Sequence, residues 1–165
     1  MRSGRTWVVI GAVAVAAIVA IVVVGLVRGG DESSTTQGEY ETAVVNTRDR
    51  VDFALGRLSK AQSLEELLER MDEAAETIDD AAGDLDDLAA PTDLESPHER
   101  LVDQLGQLSA DVKGTADQAR VPGFEDILNG AAGLNFESWD KVNAILAELR
   151  RQGVEVEPLA RQSAT

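Results

Sequence analysis

Residues 64–90, LEELLERMDEAAETIDDAAGDLDDLAA, decide the fold of this chain. Their apolar side chains recur at alternating steps of four and three, which is the heptad seam of an α-helix that packs against other helices. The seam consists of Leu64, Leu68, Met71, Ala75, Ile78, Ala82, Leu85 and Ala89. A second row at steps of seven, which widens the seam to the broad face of a bundle helix, consists of Leu67, Ala74, Ala81 and Leu88. The pattern predicts a helix from Leu64 to Ala90, stopped by Pro91.

A similar stripe precedes this helix and predicts a first helix that begins at Tyr40. The stripe consists of Tyr40, Val44, Thr47, Val51, Ala54, Leu58 and Ala61. Ser63 and Glu66 have the spacing of an N-terminal capping box, so a new helix is expected to start at this point. The alternative is one continuous helix through residues 60–62, because no Gly or Pro interrupts them.

Two further helices are predicted downstream. The third opens with Ser96 and Glu99 as a capping box and with Pro97 at the first helical position. Its stripe consists of Leu101, Leu105, Leu108, Val112, Thr115 and Ala119. The last helix is expected to be capped by Asn135 and ended by Gly153 in a left-handed conformation. Its inward side chains are predicted to be Phe136, Trp139, Val142, Leu146 and Leu149. Four amphipathic helices with mostly short connections predict an all-α fold, an antiparallel four-helix bundle.

Residues 6–27, TWVVIGAVAVAAIVAIVVVGLV, contain no charged side chain. A helix of this length spans about 33 Å at ~1.5 Å per residue, enough to cross a hydrocarbon core of roughly 30 Å. The segment predicts a single N-terminal transmembrane helix. The alternative is a cleaved secretory signal, but the apolar run is long for a signal and no small-x-small site follows it. Ala12, Ala16 and Ala20 form a small-xxx-small face, which would suit a weak homodimer through this helix.

Positive charge predicts the orientation of the chain. Arg2 and Arg5 precede the span, whereas Arg28 is followed by Asp31 and Glu32. The N-terminus is therefore expected in the cytoplasm and the rest of the chain outside. The expected domains are a cytoplasmic N-terminus (1–5), a transmembrane helix (6–27), a flexible linker (28–38), an acidic helical bundle (39–152) and a loosely ordered tail (153–165).

The charge of the chain excludes several classes of partner. Thirty acidic and fifteen basic residues give a net charge of −15. Such a surface repels nucleic acid and anionic lipid head groups, so neither is expected to bind the domain directly. The chain also contains no cysteine and therefore has no disulfide framework.

Few residues could carry chemistry. Eleven acids and one base, Arg70, lie between Glu65 and Asp87. Carboxylates suit hard cations such as Ca²⁺, but on a straight helix they diverge, and no calcium-binding loop motif is present. The single histidine, His98, is expected to be a surface residue or to pack at a helix junction. The sequence predicts no catalytic, cofactor-binding or metal-binding residues, and so no enzyme.

One junction resembles a known group of proteins. In LAAPTDLESPHERLV (88–102), the residues Pro91, Leu94, His98 and Leu101 match a helix-Pro-x-x-Leu-x-x-x-His-x-x-Leu pattern. This pattern resembles that of uncharacterised secreted or membrane-anchored helical proteins of high-GC Gram-positive bacteria. The ending FESWDKVNAILAELRRQGVEV (136–156) is similar in style to theirs. The resemblance implies an envelope location and a helical fold, and it implies no particular activity.

These observations together predict the class of function. We expect a single-pass protein of the cytoplasmic membrane that presents an acidic bundle outside the cell membrane. The predicted function is a non-catalytic interaction or scaffold module for another envelope protein. The alternative is low-affinity divalent cation binding by the acidic helix face.

Overall fold

The computed structural model describes residues 35–121 and 136–160. These residues form four α-helices and no strand: α1 (Gln37–Leu58), α2 (Leu64–Asp86), α3 (Glu95–Ala119) and α4 (Glu137–Arg151). The predicted span, residues 6–27, lies outside the described residues. None of the helices in the described part of the chain has the length and apolar character that a membrane crossing requires. The all-helical class is confirmed for these residues.

Helix α1 begins three residues before the predicted start at Tyr40. Thr36 caps it: its Oγ1 accepts a hydrogen bond from the Glu39 N–H at 3.3 Å, and the Glu39 carboxylate accepts one from the Thr36 N–H at 3.0 Å. This reciprocal capping box satisfies two backbone donors that a helix start otherwise leaves unpaired. The helix therefore includes Gln37 and Gly38, which the sequence analysis assigned to the linker.

The predicted break between α1 and α2 is confirmed, and the continuous helix is wrong. Residues 59–63 form turns, and Ser63 caps α2 by accepting a hydrogen bond from the Glu66 N–H at 3.1 Å. The Glu66 carboxylate accepts from Gln62 N–H at 2.8 Å, one residue earlier than in the standard box. At its other end α2 stops at Asp86, four residues before the predicted end.

The predicted cap of α3 is wrong. The helix begins at Glu95, with Leu94 at the N-cap position and no side-chain hydrogen bond there. Ser96 and Pro97 are therefore its second and third residues. Proline fits this position because the first backbone N–H groups of a helix have no intrahelical acceptor. Leu94 is 1% exposed, so its side chain anchors the start of α3 in the core.

Successive helices run antiparallel, because residues near the end of one helix contact residues near the start of the next. The contacts that show this are Arg57–Glu73 and Arg50–Asp84 between α1 and α2, Arg120–Asp72 and Ser109–Ala75 between α2 and α3, and Arg100–Glu148 and Ser138–Asp111 between α3 and α4. The main helix contacts are α1 with α2, α2 with α3, and α3 with α4.

The predicted stripes form the core, with few exceptions. All stripe residues of α1 are buried except Ala61, which lies beyond the end of the helix. In α2, Met71, Ile78 and Leu85 are at most 1% exposed. The ends of the seam are less buried: Leu64 and Leu68 are half-buried, and Ala89 is exposed.

The last helix starts and ends with side chains in the core. Phe136 is at the N-cap position of α4 and is 6% exposed, whereas the predicted cap, Asn135, lies outside the described residues. At the C-terminus Gly153 has φ of 95°, as predicted. The Gly153 N–H donates to the Arg150 carbonyl and the Val154 N–H to the Leu149 carbonyl, which together form a Schellman motif. This motif turns the chain back along α4.

The tail that follows is packed, which corrects the expectation of a loosely ordered end for residues 154–160. We call these residues the strap. Val154, Val156 and Leu159 are 0%, 3% and 3% exposed. The strap lies between α1 and α4 and hydrogen bonds to Asn143 of α4 and to Asp52 of α1. It therefore closes a gap that the helices leave open, and a loose tail would expose three aliphatic side chains to water.

Candidate interaction surface

The acidic residues of α2 lie on its outer side. Of its ten carboxylates eight are exposed and two, Glu66 and Asp72, are half-buried; Asp87, the C-cap residue, is also exposed. Four are paired with arginines: Arg70 binds Glu66 on the same helix, Arg57 and Arg50 reach from α1, and Arg120 reaches from α3. The partners of the last three are Glu73, Asp84 and Asp72. These pairs partly neutralise the two flanks of the helix and leave its outermost carboxylates facing water.

A shallow groove runs between α2 and α3. Its volume is about 470 Å³. Its lining consists of Asp72, Ala75, Glu76, Asp79, Gly106, Ser109, Ala110 and Lys113. The floor residues are small, and the Ser109 hydroxyl donates to the Ala75 carbonyl at 2.7 Å, which joins the two helices beneath the groove. Within the described residues no group of three or more His, Cys, Asp or Glu side chains is placed to hold a metal ion.

His98 lies in the first turn of α3 and packs against α1, so of the two expected positions it has the packed one and not the surface one. It is 7% exposed, and its ring centroid is 5.6 Å from that of Tyr40, with the rings tilted by 56°. Burial lowers the pKa of His98 below its usual 6.5, although the nearby charges of Asp86 and Glu99 oppose this shift. Burial also raises the pKa of Tyr40 to about 12. The His98 Nδ1 and the Tyr40 hydroxyl have no hydrogen-bond partner among the described residues.

The other residues with distinctive side chains are part of the core. Met71 is 0% exposed, and Trp139 and Phe136 are 5% and 6% exposed, so the predicted packing role of this aromatic pair is confirmed.

The sequence analysis missed one exposed aromatic side chain. Phe53 on α1 is 70% exposed, and Val121 is the other large apolar side chain that is exposed in the described part of the chain. Phe53 lies one turn from Arg50 and one turn from Arg57, whose side chains are 40% and 43% exposed. The signal was present in the sequence, because an aromatic residue stood next to the apolar stripe of α1 and out of step with it.

No family model, curated protein or solved structure matches this chain. Three surfaces of the described residues are candidates for interaction. These are the acidic face of α2, the groove between α2 and α3, and the patch formed by Arg50, Phe53 and Arg57, which we call the aromatic patch.

Proposed function

We propose that this chain is a membrane-anchored, non-catalytic module that binds another envelope protein outside the cytoplasmic membrane. Residues 6–27 would serve as the anchor, and the positive charges before them favour an external position for the antiparallel four-helix bundle. An external, soluble and strongly acidic bundle suits protein binding better than contact with nucleic acid or anionic lipid.

The observation that carries this proposal is the exposure of Phe53. A partner that covered this side chain, which is 70% exposed, would remove a large apolar area from water, and that removal is favourable. Aromatic residues and arginine are the residue types that most often dominate the energy of protein interfaces. Arg50 and Arg57 border Phe53 and already hold Asp84 and Glu73, so the patch presents oriented guanidinium groups around an apolar centre.

Site-specific photo-crosslinking in native membranes tests this function. A benzophenone amino acid at position 53 is expected to give one discrete protein adduct, and the same probe at the exposed Gln107 of α3 serves as the matched control. Phe53→Ser should abolish co-purification of the adduct partner without changing the helical content. Equal labelling from both positions, or unchanged co-purification by Phe53→Ser, would refute binding through the aromatic patch.

Cation binding by the acidic face is the second candidate. It is favoured by the groove between α2 and α3, where Glu76 and Asp79 form no ion pair with a described residue. The carboxylates project from one straight helix, so binding would be weak and diffuse. The calcium experiment in the Discussion tests it.

A further inference from the structure

The gap between α1 and α4 has the form of a binding groove for an extended peptide. Its lining is mainly aliphatic: Val44 and Val51 come from α1 and Val142 and Leu146 from α4. Leu101 and Leu105 of α3 lie between them, and Thr47 and Arg48 of α1 are the polar lining residues. Leu159 of the strap lines the same groove, beside a cavity of about 10 Å³.

Side chains of both walls bind the backbone of the strap. Asn143 of α4 forms two bonds with Leu159: its Oδ1 accepts from the N–H at 2.7 Å and its Nδ2 donates to the carbonyl at 3.4 Å. On α1, Arg48 donates to the Pro158 carbonyl at 2.9 Å, and Asp52 accepts from the Ala160 N–H at 2.7 Å. Contacts of this kind recognise an extended main chain whatever its sequence, as in peptide binding by strand addition.

The side chains of the strap show which peptide the groove selects. Val154, Val156 and Leu159 point inward, at positions i, i+2 and i+5, whereas Glu155 and Glu157 are exposed. The guanidinium of Arg150 lies 4.0 Å from the Glu157 carboxylate, so an acid at this position has a cation close by. The chemistry of the ligand is therefore an extended, acidic segment with aliphatic side chains at i, i+2 and i+5.

The strap is attached in a way that permits its release. It has no regular backbone ladder of its own, and the Schellman motif at Gly153 joins it to the end of α4. The main helix contacts run α1–α2, α2–α3 and α3–α4, so none of them is made through the strap. Elements with few backbone bonds belong to the parts of a protein that open locally.

We propose that the groove between α1 and α4 binds an extended acidic–aliphatic segment of a partner protein, and that the strap is its intramolecular competitor. A partner segment must then displace the strap, whose tether gives it a high effective concentration. Affinity for the partner would rise whenever the strap is released. This inference does not depend on the aromatic patch or on the membrane anchor, since the groove lies on a different side of α1 from Phe53 and is complete within the bundle.

A labelled peptide with the strap sequence, GVEVEPLA, tests the proposal on the full chain purified in mild detergent. The variant Leu159→Asp releases the strap by placing a charge in the aliphatic groove. It should keep its helical circular dichroism and bind the peptide saturably, at least tenfold more tightly than the wild-type chain does. Ala160→Pro removes the N–H that Asp52 binds and changes no core side chain, so it should give a smaller gain in the same direction.

Two controls show whether binding uses the groove. Adding Asn143→Ala to the Leu159→Asp chain should weaken peptide binding about tenfold, and a peptide with Asp in place of the leucine should not bind. Equal peptide binding by the wild-type and released chains, or none by either, would overturn the proposal. Loss of the helical fold in both released variants would show that the strap is an inseparable part of the core. Dimerisation of the wild-type chain that Leu159→Asp abolishes would instead assign the groove to the strap of a second copy.

Discussion

Leu159→Ala measures how much the strap contributes to stability. Leu159 is 3% exposed and covers side chains from α1, α3 and α4. The change removes three carbon atoms from the core, which costs about 2.4 kcal/mol at ~0.8 kcal/mol for each buried CH₂. The cavity that remains adds to this cost, so leucine-to-alanine changes in cores range over about 2–5 kcal/mol. The strap is not part of a helix and can shift partly into the space, which limits the cavity term. We therefore expect a loss of about 2–3 kcal/mol.

Urea denaturation followed by circular dichroism at 222 nm gives this free energy directly, provided that the slope of the transition is unchanged. Glu155→Ala on the exposed side of the same strap is the matched control and should change stability by less than about 0.5 kcal/mol. A loss below about 0.5 kcal/mol for Leu159→Ala would mean that the tail is loosely packed in solution. That result would refute the packing of the strap against the helices and, with it, the proposed peptide groove.

Four other predictions concern the core, the histidine, the acidic face and the anchor. Ile78→Ala, at a position that is 0% exposed, should lower the free energy of unfolding by about 2–5 kcal/mol. Leu68→Ala, at the half-buried end of the seam, should lower it by roughly half as much. Equal losses for the two variants in urea denaturation would contradict this difference. The folded pKa of His98 lies below the unfolded value of 6.5, so the unfolded chain binds more protons in this range. The stability of the wild-type chain should therefore fall as pH falls from 6.5 toward the folded pKa, and the stability of His98→Phe should lack this pH-dependent loss. Parallel pH profiles of stability for the two chains would show that His98 does not contribute. Monovalent salt at ~1 M should raise the melting temperature by screening the exposed carboxylates of α2. CaCl₂ at the same ionic strength should raise it no further. A saturable rise in melting temperature at sub-millimolar calcium would instead favour cation binding. A reporter that is active only outside the cytoplasm, fused after Thr165, should be active, and activity of a cytoplasmic reporter at the same position would reverse the proposed orientation.

The pattern of the sequence was sufficient for the helices and for most of the core. Met71, Ile78 and Leu85 are buried where the heptad seam places them, because helical periodicity is a local property that spacing alone reveals. Helix starts were less predictable. The Ser63 cap was correct, but the Ser96 cap was wrong and the Thr36 cap was missed, since several Ser and Thr residues near a helix start have a suitable acid three residues later.

Only the tertiary structure shows which irregular segment belongs to the core. VEVEPL (154–159) has no helical period, and its burial depends on a gap between α1 and α4, which are about a hundred residues apart in the chain. The partners of its backbone, Arg48, Asp52 and Asn143, likewise come from helices at opposite ends of the domain. Local periodicity therefore determined the helices and the face that each one buries. The closure of the bundle required the structure, because a short segment folds into a groove only where distant parts of the chain have already formed one.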